Sequence, residues 1–264
     1  MTTVPGDVVA GDGRADILPR PVWIRESLTA GRPLIIAHRG ASASAPENTL
    51  RAFRAAQAGA ADAIETDLWL TGDGRAVCTH DADIRDAAGR AVAVGALTRA
   101  ALRAVRPDIP DLVEAGSVGL PILLDVKESD LSRFLRVLKA PEIAAEPHRF
   151  IVGVGTCEIA CAVQRACPAL AQVGLMREID DFSDFARLSP AFWGRIHAHR
   201  ATERQVARLR ALGLGVMITC GRADGPVGDT DAADLRRLVA LAPDALILND
   251  PALAATFAGG RGDG

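Results

Sequence analysis

The chain has 264 residues, 49% of them hydrophobic, with no Tyr, seven Phe, three Trp and a formal net charge of −3. That length suits a single α/β barrel whose interior is filled by Ala, Val, Leu and Ile, and the charge supplies no basic field for nucleic acid. No apolar run reaches the roughly 18 residues of a membrane helix, and the start MTTVPGDVVAGDGRAD has neither the basic end nor the apolar core of a signal peptide, so a soluble, cytoplasmic protein without stable membrane insertion is expected.

Residues 1–30 are poorly patterned and read as an N-terminal extension, followed by one domain over 31–260. Within it, short apolar runs alternate with helical patterns. Strands are expected at 34–38, 62–69, 121–126, 150–155, 171–175, 195–198, 214–219 and 245–249, with 75–79 as the returning arm of a hairpin after the second strand. Helices are expected near 48–58, 129–139, 157–166, 181–187, 202–211 and 231–241, the last opened by Asp229, Thr230 and Asp231. Residues 81–120 form a small insertion with helices near 98–104 and 110–116. Eight strands alternating with helices predict a TIM (β/α)8 barrel, with chemistry at the carboxyl ends of its strands.

Those ends carry the titratable residues. His38 closes the first apolar run and is followed by Arg39, Gly40 and the segment Pro46-Glu47-Asn48-Thr49. In the second strand Glu65 and Asp67 alternate onto one face roughly 7 Å apart, and two carboxylates crowded on an apolar strand repel unless a cation lies between them. The loop Thr71 to Gly74 predicts a tight hairpin. If Leu70 pairs with Arg75, His80 falls opposite Glu65 and Cys78 opposite Asp67, a placement that depends on the register. The third strand repeats the design with Asp125 and Lys127 on one face. Later ends offer Arg177, Glu178, His197, His199, Cys220, Asn249 and Asp250 as weaker candidates for the substrate side of the mouth.

An odd cysteine count, five, fits a reducing compartment better than a disulfide framework. Cys157 and Cys161 stand four apart on a predicted helix, as a metal pair would, but their small apolar neighbours favour packing.

The stretches His38-Arg39-Gly40, Glu47-Asn48-Thr49, Glu65-x-Asp67 and His80-Asp81, in this order and at this spacing, resemble the glycerophosphodiester phosphodiesterases. The resemblance runs from about residue 33 to the Asn249-Asp250-Pro251 segment and is most specific between 38 and 81. It implies a TIM barrel that cleaves glycerol-linked phosphodiesters with one divalent cation, Mg2+ or Ca2+. On the same resemblance Glu65, Asp67 and Asp125 hold the metal and His38 and His80 exchange protons, while Arg39 and Lys127 contact phosphate and Glu47 supports them. Three positions depart from the family. Asp125 stands where Glu is typical, the late strand Gly215 to Cys220 lacks a Trp beside the leaving group, and Asn249-Asp250 replaces Thr-Asp. A phosphate-binding protein without turnover, or an enzyme that stops at a cyclic phosphate, are the alternatives. Composition and patterning carry no signal for an oligomeric state.

Overall fold

The computed structural model describes residues 32–86, 88–179, 181–188 and 193–258; the expected extension over 1–30 lies outside them. In chain order the elements are β1 (Leu34–Ala37), α1 (Leu50–Ala58), β2 (Ala63–Leu70), β3 (Ala76–Cys78), β4 (Asp83–Arg85), β5 (Ala91–Ala93), α2 (Arg99–Val105), α3 (Leu112–Gly116), β6 (Ile122–Val126), α4 (Leu131–Leu138) and α5 (Pro141–Ala145). There follow β7 (Phe150–Val154), α6 (Cys157–Ala166), β8 (Ala171–Gly174), α7 (Asp181–Leu188), β9 (Trp193–His197), α8 (Glu203–Ala211), β10 (Gly215–Thr219), α9 (Ala232–Ala240), β11 (Ala245–Leu248) and α10 (Pro251–Ala258).

Eight of these strands run parallel in the order β1, β11, β10, β9, β8, β7, β6, β2, and pairing of β1 with β2 closes the ring. This is the TIM barrel that the alternation of strands and helices implied. Most barrel strands are buried on both faces, as a parallel sheet sheathed in helices requires. Inward side chains such as Leu34, Ile36, Ala63, Leu123, Trp193 and Met217 fill the lumen, and outward ones pack against the helices. Without tyrosine, Phe182 and Phe185 of α7 fill the space outside β8 and β9, edge to face at 6.3 Å. Among the described residues no helix is long and apolar enough to cross a membrane.

Side-chain caps start the helices where the sequence placed them. Thr49, Thr156, Thr202 and Asp231 each accept a hydrogen bond from a backbone N–H of the first turn, satisfying a donor that has no partner within the helix. Within the 81–120 insertion, Ile84, Val94, Leu102 and Ile109 form a small core against Val77 of β3. It also holds the β4–β5 hairpin, whose three-residue strands are too short to show a period.

The β2–β3 register differs from the expected one. Leu70 pairs with Ala76, Trp69 with Val77 and Leu68 with Cys78. The reason is a bulged turn: Gly74 N–H donates to Thr71 O, Thr71 N–H donates to Arg75 O, and Gly74 sits in the left-handed region at φ 80°. That glycine inserts one extra residue before pairing resumes. Cys78 therefore lies opposite Leu68 rather than Asp67, and His80 falls beyond the end of β3.

Candidate active site at the carboxyl ends of the strands

β1 delivers His38 to the lumen side of the mouth, and Arg39 turns the chain with φ 55°. This left-handed turn aims both polar ends of Arg39 at β2. Its backbone N–H donates to Glu65 Oε2 at 2.9 Å, and its guanidinium lies 3.0 Å from Asp67 and 2.8 Å from Glu47.

Strand alternation puts Glu65 and Asp67 on the inward face with Ala63, and the parallel register sets Asp67 beside Asp125 of β6. Glu65, Asp67 and Asp125 offer oxygens that all lie within 4.8 Å of one another, the one group of this kind among the described residues. Lys127 bridges the pair, with Nζ 2.7 Å from Asp125 and 3.0 Å from Asp67.

Environment separates these acids. Burial, then repulsion from Asp67 and Asp125, pushes the Glu65 carboxyl well above the ordinary range. Burial also works against Asp67, but Lys127, Arg39 and the Asn48 amide outweigh it and hold Asp67 below its usual value. Lys127 is raised, because Asp125 and Asp67 outweigh the cost of its own burial. A buried carboxyl pressed by two other acids is a site that gains from a cation. Three hard oxygens within 4.8 Å can share an ion whose bonds are about 2.3–2.6 Å long, so the donor set fits Ca2+, or Mg2+ with waters completing its shell.

His38 is held by a chain of amide contacts. Asn249 Nδ2 donates to Val227 O at 3.1 Å and to Asp229 Oδ1 at 2.6 Å, which turns Asn249 Oδ1 toward His38 Nδ1 at 2.8 Å. An acceptor there fixes the proton on Nδ1 and leaves Nε2 with its lone pair, 4.0 Å from Glu65. Burial is the main reason the imidazole is shifted below its ordinary pKa. Gly228 makes the space: a Cβ at this position, where φ is 88°, would lie 2.1 Å from Asn249 Oδ1 and 2.6 Å from His38 Nδ1.

His80 is not brought onto the acids by the hairpin. Its ring is 43% exposed and lies 2.8 Å from Asp81, while its backbone carbonyl accepts from Trp69 Nε1 at 3.0 Å. Of the weaker candidates, His197 and its neighbour Arg195 are on β9 at the mouth and Asn249 serves His38. Cys220 is buried among outward-facing core residues, with its thiol pushed up to about 12 by burial. Asp250 accepts from Leu253 N–H at the start of α10, a structural cap. Arg177 and Glu178 are tied to Arg200, through the Arg177 carbonyl at 2.6 Å and the Glu178 carboxylate at 2.7 Å. Cys78 is fully buried and its thiol is likewise pushed up to about 12 by burial, which makes it a packing residue.

Two site residues went unassigned in the sequence. Asn48, at φ 54°, donates to Asp67 Oδ2 at 2.9 Å and accepts from Thr66 Oγ1 at 2.8 Å, so it locks the second acid in place. Its signal was the Glu47-Asn48-Thr49 stretch, where Asn is the residue that tolerates a left-handed turn. Arg195 gave no signal, because alternation alone cannot show which strand faces the acids.

The fold and its mouth define a barrel with a three-carboxylate, cation-ready site. Comparison with known proteins narrows this class. The family model for "Glycerophosphoryl diester phosphodiesterase family" matches residues 38–149, the segment that carries every residue of the acid cluster and ends as β7 begins. A "Probable glycerophosphodiester phosphodiesterase 1" of Mycobacterium tuberculosis is 46% identical over 81 residues, 31% of this chain and 29% of that one. Two solved structures share the fold: a putative glycerophosphodiester phosphodiesterase from Galdieria sulphuraria (TM-score 0.72, 24% identity, covering 86% of this chain and 97% of the other) and an Oleispira antarctica phosphodiesterase in complex with the product sn-glycerol-3-phosphate (TM-score 0.70, 20% identity, 87% and 98%). The chain resembles the glycerophosphoryl diester phosphodiesterase family over residues 38–149, under half of its length, and shares the fold of the solved structures. Its matched segment spans less than a third of the M. tuberculosis relative's length.

Proposed function

We propose that this protein hydrolyses glycerophosphodiesters to glycerol phosphate and an alcohol, within a single barrel domain over 31–260 that acts in the cytoplasm. The observation that carries this reading is the convergence of Glu65, Asp67 and Asp125 within 4.8 Å, with His38, Arg39 and Lys127 around them. A binding protein could keep the cations alone; it has no use for a histidine whose tautomer is set so that a lone pair faces the acids.

Glu65, Asp67 and Asp125 would hold one divalent cation, Mg2+ or Ca2+. When bound, such a cation polarises a phosphate oxygen and stabilises the charge that builds on it. Arg39 and Lys127 neutralise further charge on the phosphoryl oxygens, and Glu47 orients Arg39 from the rim. His38 is the general base: with the proton on Nδ1 it takes a second on Nε2, from the glycerol hydroxyl adjacent to the phosphate. That hydroxyl attacks phosphorus and the alcohol leaves. His80 is the general acid, giving its proton to the departing alkoxide; an exposed ring on a connecting segment can reach a leaving group at the mouth. Water then opens the cyclic phosphate with the roles reversed.

The test is a panel of choline, ethanolamine, inositol and bis-glycerol phosphodiesters with Ca2+, Mg2+ or Mn2+, followed by phosphorus NMR. Glycerol phosphate as the end product supports the reading. No turnover on any member with any metal overturns it, and a cyclic phosphate that accumulates removes the water step.

A further inference from the structure

Arg195 stands on the inward face of β9, two residues after the lumen-filling Trp193 and paired in register with the lumen residue Met217. In the ring of eight, β9 is four strands from β2 in either direction, so Arg195 looks across the barrel at the strand that carries Glu65 and Asp67. Its guanidinium meets the ring of His197 on the same strand. That imidazole is pushed down to about 4, chiefly by burial and by Arg195 itself, and is therefore neutral near pH 7. The acids whose charge reaches Arg195 are Asp125 and Glu65.

The other two cations are engaged. Arg39 and Lys127 are bound to Glu47, Asp67 and Asp125 at 2.7 to 3.0 Å. Among the described residues Arg195 is a cation on the strand facing Glu65 and Asp125 with no bond to either, and a fixed positive charge there competes with a divalent cation for the same oxygens. The same charge is unspent toward an anion. A phosphate group entering the mouth meets a guanidinium suited to its oxygens.

We propose that Arg195 sets the charge of this site, holding divalent-cation affinity down while drawing the phosphate group in. This rests on the metal reading given above. The assignment makes Arg195 a specificity-determining residue for anionic phosphate groups; a merely structural arginine would not shift the two affinities in opposite directions.

The test is calorimetric titration of chelator-stripped protein with Ca2+, and separately with inorganic phosphate, for wild type, Arg195→Met, Arg195→Gln and Arg195→Lys. Both neutral variants are expected to bind Ca2+ about tenfold or more tightly than wild type and phosphate about tenfold more weakly, with Arg195→Lys close to wild type in both. Melting curves identify any variant that has lost its fold, and the second neutral substitution stands in if the first does. Unchanged affinities in a folded neutral variant, with wild type binding Ca2+, overturn the inference and leave the metal reading intact. If wild type binds no Ca2+ the metal reading fails instead, and phosphate decides the rest: weaker binding in the neutral variants upholds Arg195 as the anion contact, and equal binding removes it.

Discussion

At the scale of single residues, the account depends on how His38 is held. The chain from Asp229 through Asn249 to Nδ1 selects one tautomer, and Gly228 is the backbone position that leaves room for it. His38→Ala should lower kcat by about 10²- to 10⁴-fold with the melting temperature little changed; activity within a few-fold of wild type would remove its role. Gly228→Ala forces a Cβ into the His38–Asn249 contact at a left-handed φ, so it should cost about 1–3 kcal/mol in a urea melt and lower kcat as well. His80 is tested by its leaving group. If it protonates the alkoxide, His80→Ala should cripple first-step release of choline or glycerol but spare first-step release of p-nitrophenolate, which leaves unaided, from a p-nitrophenyl ester. Equal losses on both would refute the acid role. Cys78 is different in kind: burial raises its thiol to about 12, so at pH 8, well below that value, almost no thiolate exists to react. Native protein should leave Cys78 unlabelled by iodoacetamide under conditions that label it in urea.

At the scale of elements, the β2–β3 hairpin shows where sequence reasoning ran out. Alternation correctly placed Glu65 with Asp67 and Asp125 with Lys127, because a two-residue period needs no knowledge of the neighbour strand. Pairing across the hairpin does need it. The stretch Thr71-Gly72-Asp73-Gly74 fits both a tight turn and a bulged one, and the extra residue moved Cys78 from Asp67 to Leu68 and carried His80 out of the ladder. The amide chain onto His38 was illegible for a related reason, since residues 38, 229 and 249 meet only once β1 and β11 pair. Short elements such as β4, β5 and α5 escaped because three to five residues hold less than one clear period. The glycine that makes the bulge gives a prediction. Gly74→Ala adds a Cβ at φ 80° and, 2.1 Å away, meets the end of the Arg136 side chain, which can move aside; the strain of the left-handed backbone remains. A loss of about 1 kcal/mol in a chemical melt is expected, and no loss would show that the turn does not depend on the left-handed glycine.

At the scale of the whole molecule, the barrel gathers charge that no single segment contains. β1, β2 and β6 bring three acids, Arg39, Lys127 and His38 to one side of the mouth, and β9 sets Arg195 opposite. The eight strands and the motifs between 38 and 81 were readable from the sequence, since each lies within one local stretch; the cross-barrel relation was not. Such a site couples metal to stability, because a cation that binds only the folded protein stabilises it, by about 2.7 kcal/mol at a hundred times its Kd. The melting temperature should therefore rise with added Ca2+ or Mg2+ and fall back on chelation. The central claim is that Glu65, Asp67 and Asp125 hold that cation together, and Asp125 is the most direct place to test it because, at 2.7 Å, it is the acid closest to Lys127, and because it stands where the family that the motifs resemble has Glu. Calorimetric titration of metal into stripped wild type, Asp125→Glu and Asp125→Asn answers the question. The account predicts that Glu retains the metal and that Asn weakens it sharply, since a hard divalent cation prefers charged oxygen. Equal affinity in Asn and wild type would show that Asp125 only pairs with Lys127, and would contradict the three-acid site.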